Sequence, residues 1–548
     1  MCVSTPSMVD LQITVRHSQW TMSRSRRFTH SLVSGYVLMG VNIIYTLVQG
    51  RMLLHFIKDN NDVGVWAVAI QMAGYFLLLD FGMSGSVARL LVDHKDDRVS
   101  SIYGSMMKTG FVVCLVQGAL IVVCGIIASQ WLLPKLMDLT GKDFLHSATT
   151  GPLSPGQMEM FWSLLMWQCI LVGISFICRM FGFILETHQR YDVVNYAQAA
   201  GFALNFLTLW WCFEHNLGLY SLLWSNVAST ICVNLYCIVA VWRLKLLPAK
   251  ERWGQVSLER FREIFAYATD VFLLVVGNML ITASQIVVVT WTLGVSAAGV
   301  WAFTTKTFAM AHQIISRIYN YSSSALAEMV VRGERERLQV RFRDIVVLTG
   351  SLGVWVTMSV ASCNYSFLKV WTSDRISWSL ENDFLMGIYI LTFTTTRCHV
   401  GLVCVTKKLR AMKFIYVAEG IAFVGLASLL GRWLGFAGII IGGIVTNLSF
   451  SGLYGIYRTA GIVQLPLKDI FFKWLVRPVR FFAVMFGIAV ASRYATSSFP
   501  VVWQLITNGI ITIISGGFCF WKLGLPENLQ NEFSGALGKL RGRVQRQS

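Results

Sequence analysis

Fourteen stretches of about 20 residues or more, each nearly free of Asp, Glu, Lys and Arg, follow one another between residues 31 and 521. A bilayer core about 30 Å thick is crossed by about 20 apolar residues at 1.5 Å of helix rise per residue. On that ruler the spans are 31–53, 63–88, 103–129, 158–185, 192–213, 217–242, 264–291, 296–327, 344–371, 382–406, 412–432, 434–457, 474–492 and 500–521. Lipid cannot satisfy backbone hydrogen bonds, so runs of this length must be helical. The fold class read from them is an all-α polytopic membrane protein of about 14 transmembrane helices. The charged residues, 14% of the chain against roughly 25% in soluble proteins, exclude a soluble, disordered or nucleic-acid-binding chain.

Charge placement sets the expected orientation. With 46 basic and 28 acidic residues the formal charge is +18. Most Lys and Arg fall in alternate loops and in both tails, so the positive-inside rule places both termini in the cytoplasm. Residues 1–30 are polar, show no cleavable signal pattern, and contain Met22 as an alternative start. Ser25-Arg26-Arg27-Phe28 reads as a basic anchor, and Lys539, Arg541, Arg543 and Arg546 read as a basic tail near the anionic leaflet. The 12 Cys stand mostly alone in apolar runs without paired CxxC units, so they read as small core residues, and no metal or cofactor is expected.

An internal repeat organises the spans. Gly64-Val65-Trp66-Ala67 opens the second span and Gly299-Val300-Trp301-Ala302 the eighth; Arg179 matches Arg397, and Leu217-Gly218 matches Leu434-Gly435. The expected organisation is a cytoplasmic segment 1–30, an N-lobe 31–243, a linker 244–263, a C-lobe 264–458, two extra helices in 474–521 and a basic tail 522–548. Two six-helix lobes repeated in one orientation leave a seam where transporters commonly bind substrate.

Charges within the spans are the candidate functional residues, because each costs about 2.5–3.5 kcal/mol at the bilayer centre. Lys306 and Arg317 are 11 residues apart, which at 100° per residue puts them within about 20° of each other, and Gln313, Asn320 and Ser324 share their stripe. Moved back by the repeat offset, the same stripe predicts Gln71 and Arg89 on the second span. The fourth span carries Gln168, Ser175, Arg179 and Glu186, and the first Asn42, Thr46 and Gln49. Together Lys306, Arg317, Gln313, Asn320, Arg179, Arg397, Gln71 and Arg89 are expected to line a basic aqueous cavity. Lys306 is too deep to snorkel; Arg179, Arg317 and Arg397 lie one to three turns from the cytoplasmic ends and read equally as anchors or ion-pair partners. Asp80 is expected to turn away from the Gln71–Arg89 stripe toward a neighbouring helix. Asp270 and Glu419 read as salt-bridge partners or, with Asp80, as ion-coupling groups. A basic site suits phosphate oxygens.

The chain resembles the polysaccharide transporter family of lipid-linked oligosaccharide flippases, within the multidrug/oligosaccharidyl-lipid/polysaccharide exporter superfamily. The resemblance rests on Gly64-Val65-Trp66-Ala67 through Leu79-Asp80-Phe81-Gly82-Met83 to Val87-Ala88-Arg89, on Arg332-Gly333-Glu334-Arg335-Glu336-Arg337-Leu338, and on Glu419 through Leu434-Gly435-Phe436-Ala437-Gly438-Ile439. Many relatives carry a Pro where this chain has Ser324-Ala325-Leu326, which leaves bending there open. The resemblance implies two six-helix lobes alternating between inner and outer openings in the bacterial cytoplasmic membrane. The implied substrate is an oligosaccharide on undecaprenyl diphosphate, moved from inner to outer leaflet, and the implied partners are membrane lipids and the polymerase and chain-length proteins of a glycan pathway. Three rivals remain: a multidrug cation exporter, a glycan-assembly enzyme, and a scaffold. Asp96-Asp97, the adjacent acidic pair in an inner loop, reads as a solvated turn rather than a sugar-nucleotide site.

Overall fold

A computed structural model describes residues 24–94, 101–135, 146–147, 151–376, 378–406, 409, 411–526, 528–531 and 534. The Asp96-Asp97 turn, the N-terminal anchor's alternative start and the basic tail from Lys539 lie outside these residues, as do the side chains of Arg89, Asp270 and Ser324. The described chain is helical apart from short connections and one pair of two-residue strands, β1 (His146–Ser147) and β2 (Gly151–Pro152).

In chain order the helices are α1 (Arg24–Phe56), α2 (Asn60–Tyr75), α3 (Met83–His94), α4 (Ile102–Ile127), α5 (Pro155–Thr187), α6 (Tyr191–Glu214) and α7 (Tyr220–Arg243). There follow α8 (Leu258–Thr282), α9 (Ser284–Leu293), α10 (Val295–Thr304), α11 (Lys306–Arg332), α12 (Arg335–Thr372), α13 (Leu380–Val405) and α14 (Met412–Leu434). The series closes with α15 (Phe436–Asn447), α16 (Leu453–Val463), α17 (Leu467–Asp469), α18 (Val476–Ala495) and α19 (Val501–Cys519). Among the described residues twelve helical segments are long and apolar enough to cross a membrane, not the fourteen expected. The two that fall short are still helical: α6 is diluted by Asn195, Gln198 and Asn205, and the eighth span is divided into short α10 and polar α11.

The second span is not one helix. A 3-10 turn, Phe76–Asp80, followed by left-handed Phe81 (φ 50°) and Gly82 (φ 74°), separates α2 from α3. The Asp80 carboxylate starts α3, accepting from the Ser84 backbone N–H at 2.9 Å and the Ser84 hydroxyl at 2.6 Å. Gln71 and Arg89 therefore belong to different helices, and the 100° arithmetic that put them in register, with Asp80 opposite, does not carry across the break.

The chain forms two compact units. The first comprises Met1–Met52, Leu79–Ile127 and Met166–Ala268. Its core is built from Val87, Leu91, Met106, Met180, Phe183 and Val241, among others. α4 and α5 meet through Gly118 and Gly173, where an added Cβ on Gly118 would stand 2.6 Å from the Gly173 carbonyl oxygen. Lipid supplies no hydrophobic drive between helices, so close backbone approach of this kind is what holds them.

The second unit comprises Leu53–Leu78, Ala128–Leu165 and Thr269–Ser548. In it the two copies of the Gly-Val-Trp-Ala motif pack against each other. A Cβ on Gly64 of α2 would stand 2.7 Å from the Val295 carbonyl carbon and Cγ1, and one on Gly299 of α10 would stand 3.3 Å from the Asn60 oxygen and the Gly64 nitrogen. The repeat that marks the sequence thus forms a glycine-to-glycine crossing. Beside it, the Arg375 guanidinium donates to the carbonyls of Ile57 (3.0 Å) and Lys58 (2.5 Å), to Asn60 Oδ1 (3.2 Å) and to the Leu54 carbonyl, satisfying orphan acceptors at the end of α1.

Candidate functional site

The candidate site begins at a bend. Thr304 and Thr305 return their hydroxyls to the carbonyls of Val300 (3.0 Å) and Trp301 (2.7 Å), a local competition that bends helices. α10 stops there and Lys306 opens α11. Asn364 of α12 holds the bend: its amide donates to the Thr304 carbonyl (3.3 Å) and to Asp383 Oδ1 (2.6 Å), while its oxygen accepts from the Thr307 hydroxyl (2.6 Å). Trp378 Nε1 adds a second bond to Asp383 Oδ1 at 2.8 Å. Asp383 is completely buried, and its Oδ2 has no hydrogen-bond partner. The sequence reading missed this network. Asp383 sits in the first turn of its helix, where an acid reads as ordinary N-terminal complement to the dipole.

From the bend α11 runs unbroken for 27 residues to a left-handed Gly333 cap, so the chain does not bend at Ser324-Ala325-Leu326. Its continuity validates the helical arithmetic for Lys306, Gln313, Arg317 and Asn320. The opposite side of the helix is occupied by Phe308, Ala311, Ile315 and Leu326, all buried. Lys306, Gln313 and Asn320 are exposed and Arg317 half-exposed. Neither cation has an ion-pair partner among the described residues. This is an open basic face on a helix whose other side is packed.

The remaining candidates have other surroundings. Arg397 is half-buried against the rings of Phe393 (4.6 Å) and Tyr416 (5.4 Å), and donates to Asn278 Oδ1. Glu419 is fully buried. It accepts from Asn447 Nδ2 and from the Ser451 backbone N–H, both at 3.1 Å, with no salt bridge among the described residues. Ser451 can donate because Leu448–Gly452 is a π-helical turn that diverts its N–H from the helix ladder. Gln71 is half-buried on α2, also in the second unit.

In the first unit, Arg179 of α5 is exposed between Phe176 (5.5 Å) and Phe183 (5.3 Å), and Asp80 caps α3 as described. The helices of that unit also form two apolar grooves, of about 790 and 560 Å³, along α5–α7. Neither includes the α11 face; the smaller has no charged lining residue, whereas the larger carries Arg190 and Arg243 beside Ile231 and Leu235. No group of three or more His, Cys, Asp or Glu able to hold a metal occurs among the described residues.

Residues 159–381 match the family described as "Polysaccharide biosynthesis protein". No curated protein matches the chain. Among solved structures, an inward-facing multidrug resistance MATE family transporter of the MOP superfamily is similar at 14% identity, covering 79% of this chain and 99% of that one, with a TM-score of 0.59. The lipid II flippase MurJ in an inward closed conformation is similar at 11% identity, covering 89% and 99%, with a TM-score of 0.58. A MOP superfamily transporter from Pyrococcus furiosus, whose reported pocket has reversed polarity, is similar at 13% identity, covering 80% and 96%, with a TM-score of 0.53. These likenesses show that the chain shares their fold, and over residues 159–381 the family match agrees with the resemblance read from the sequence.

Proposed function

We propose that this polysaccharide-biosynthesis-type membrane transporter is a flippase for a lipid-linked oligosaccharide whose diphosphate is carried along the α11 face. The observation that supports this is the pair Lys306 and Arg317, unpaired on the open side of a helix whose other side is packed. An unpaired cation at membrane depth is costly unless it faces water or an anionic ligand. Eleven residues separate the two, about 16 Å along the axis at 1.5 Å per residue. One diphosphate cannot be gripped by both. They serve as two stations, roughly half a bilayer core apart, between which the head group passes as the surrounding helices rearrange. The lipid tail stays in the bilayer and the glycan travels in water, so no bond is made or broken.

Alternating access is assigned to the glycine crossing of α2 and α10 with its Arg375 latch, which in this reading part as the second unit opens. Coupling to an ion is assigned to Glu419, Asp270 or Asp80, or to the membrane potential acting on the cationic face. Partners are membrane lipids and the glycan-assembly proteins that supply and consume the substrate, and the site is the bacterial cytoplasmic membrane with both termini inside.

The test is deletion of the gene with analysis of lipid-linked intermediates, followed by rescue with Lys306→Ala and Arg317→Ala. Accumulation of an intermediate that wild type clears and both variants leave is expected. Unchanged intermediates in the deletion strain refute the flippase reading, and full rescue by both variants refutes the α11 site. Both substitutions remove groups with no ion-pair partner among the described residues, Lys306 exposed and Arg317 half-exposed, so stability should change by about 1 kcal/mol or less, which separates lost transport from lost folding.

A further inference from the structure

Where α12 begins, α18 begins and α19 ends, three cations converge on a small cavity. It measures about 240 Å³ and is lined by Arg343, Lys473 and Arg477 together with Val347, Pro526 and Asn528. The walls are tightly built. A Cβ on Gly350 would stand 3.2 Å from Pro478, the Ser351 hydroxyl donates to the Gly524 carbonyl at 2.8 Å, and Arg477 donates to the Leu525 carbonyl at 2.8 Å. Ile470, Trp474 and Phe481 are buried behind it.

Among the described residues no carboxylate lines the cavity. Arg343 is paired sideways with Asp344 (3.1 Å) and Lys473 with Asp469 (3.0 Å), whereas Arg477 meets a neutral carbonyl. Among the described residues these three cations and two acids carry one net positive charge, the sign that suits a phosphodiester monoanion. The flanking surface is apolar and uncovered: Phe472 is 71% exposed and Val479 59%. By the distribution of Lys and Arg, this end of the three helices lies at the cytoplasmic leaflet. Basic pockets between helices at that depth have the chemistry of anionic lipid head-group sites.

We propose that this cavity binds the phosphodiester of an anionic phospholipid of the inner leaflet, with its acyl chains lying along Phe472 and Val479. The site is separate from the α11 face and does not depend on what the chain transports.

The test is native mass spectrometry of delipidated full-length protein titrated with phosphatidylglycerol, phosphatidylcholine or inorganic phosphate. Phosphatidylglycerol is expected to bind preferentially. Lys473→Gln, at a residue exposed enough to leave the fold intact, should weaken it about fivefold, as one lost charge near a membrane surface does. Lys473→Gln with Arg477→Gln should weaken it further, and Lys468→Gln and Arg480→Gln, which remove exposed cations outside the cavity, should leave it unchanged. Equal binding of the two phospholipids, no loss in Lys473→Gln, or equal loss in the two outside variants overturns the proposal. Competition by inorganic phosphate at matching concentration overturns its lipid part, marking a site for a free anion.

Discussion

Replacing Gly64 by Ala tests the glycine crossing directly. Carbon atoms rest about 3.5–4.0 Å apart at optimal contact, and the added Cβ would stand 2.7 Å from both the carbonyl carbon and Cγ1 of Val295. The side chain could rotate away, but the backbone carbonyl could not. α2 and α10 would have to separate by at least about 0.8 Å, because the Val295 carbonyl oxygen would stand closer still, and overpacking of that order costs about 1–3 kcal/mol. If the crossing opens during transport, the penalty falls on the closed arrangement and shifts the equilibrium toward opening by about 5- to 150-fold. Ala298, fully buried on α10, is a suitable reporter. The labelling rate of Ala298→Cys by a water-soluble maleimide, read by peptide mass spectrometry, should rise at least fivefold when Gly64→Ala is added. Gly299→Ala should act more weakly, because its nearest contacts are at 3.3 Å and need only a few tenths of an ångström of relief. An unchanged labelling rate in folded Gly64→Ala protein, or a larger effect from Gly299→Ala, refutes the reasoning.

Arg375→Ala should leave the carbonyls at the end of α1 without their charged donor. A loss of about 1–3 kcal/mol is expected, with faster hydrogen exchange in residues 57–61 and little change elsewhere. Asp383→Ala strands the Trp378 indole N–H and the Asn364 amide in a buried site; thermal stability should fall by about 2–6 kcal/mol, counting roughly 1–3 for each donor, whereas Asp383→Asn should recover part of it. Glu419→Gln keeps one acceptor but turns an NH₂ group toward either the Asn447 amide or the Ser451 N–H, so a cost of about 1–3 kcal/mol is expected in thermal denaturation; a Gln variant as stable as wild type would show that the carboxylate's second oxygen is not needed as an acceptor.

Periodicity and charge carried the sequence reading a long way because the bilayer punishes exceptions. Helices and their approximate positions follow from apolar length, since no other backbone arrangement survives in lipid; the superfamily fold was implied only by the motif resemblance. The stripe from Lys306 to Asn320 was legible for the same reason: 100° per residue holds along any unbroken helix, and α11 is unbroken. The arithmetic failed where continuity failed. Nothing in the apolar run from 63 to 88 signals the 3-10 turn at Phe76–Asp80 strongly enough to outweigh its hydropathy, although Asp80 before Ser84 is an N-cap pattern in retrospect.

What the tertiary structure alone decided is which polar groups find partners. Glu419 is the lone acid of an apolar helix and Asp383 shares the first turn of its helix with Glu381, and neither sequence context names a partner. Glu419 has both oxygens met by Asn447 of the next helix and the π-turn that ends it, whereas Asp383 has one oxygen met by an amide and an indole brought from α12 and the loop after it. Likewise, Gly64 and Gly299 could be recognised as equivalent from sequence, but not as facing each other. Local sequence sets helix register through bonds between near neighbours, whereas partnership across helices depends on how separate helices pack, from a few residues apart for Asp383 and Trp378 to more than two hundred for Gly64 and Gly299, which no local pattern encodes.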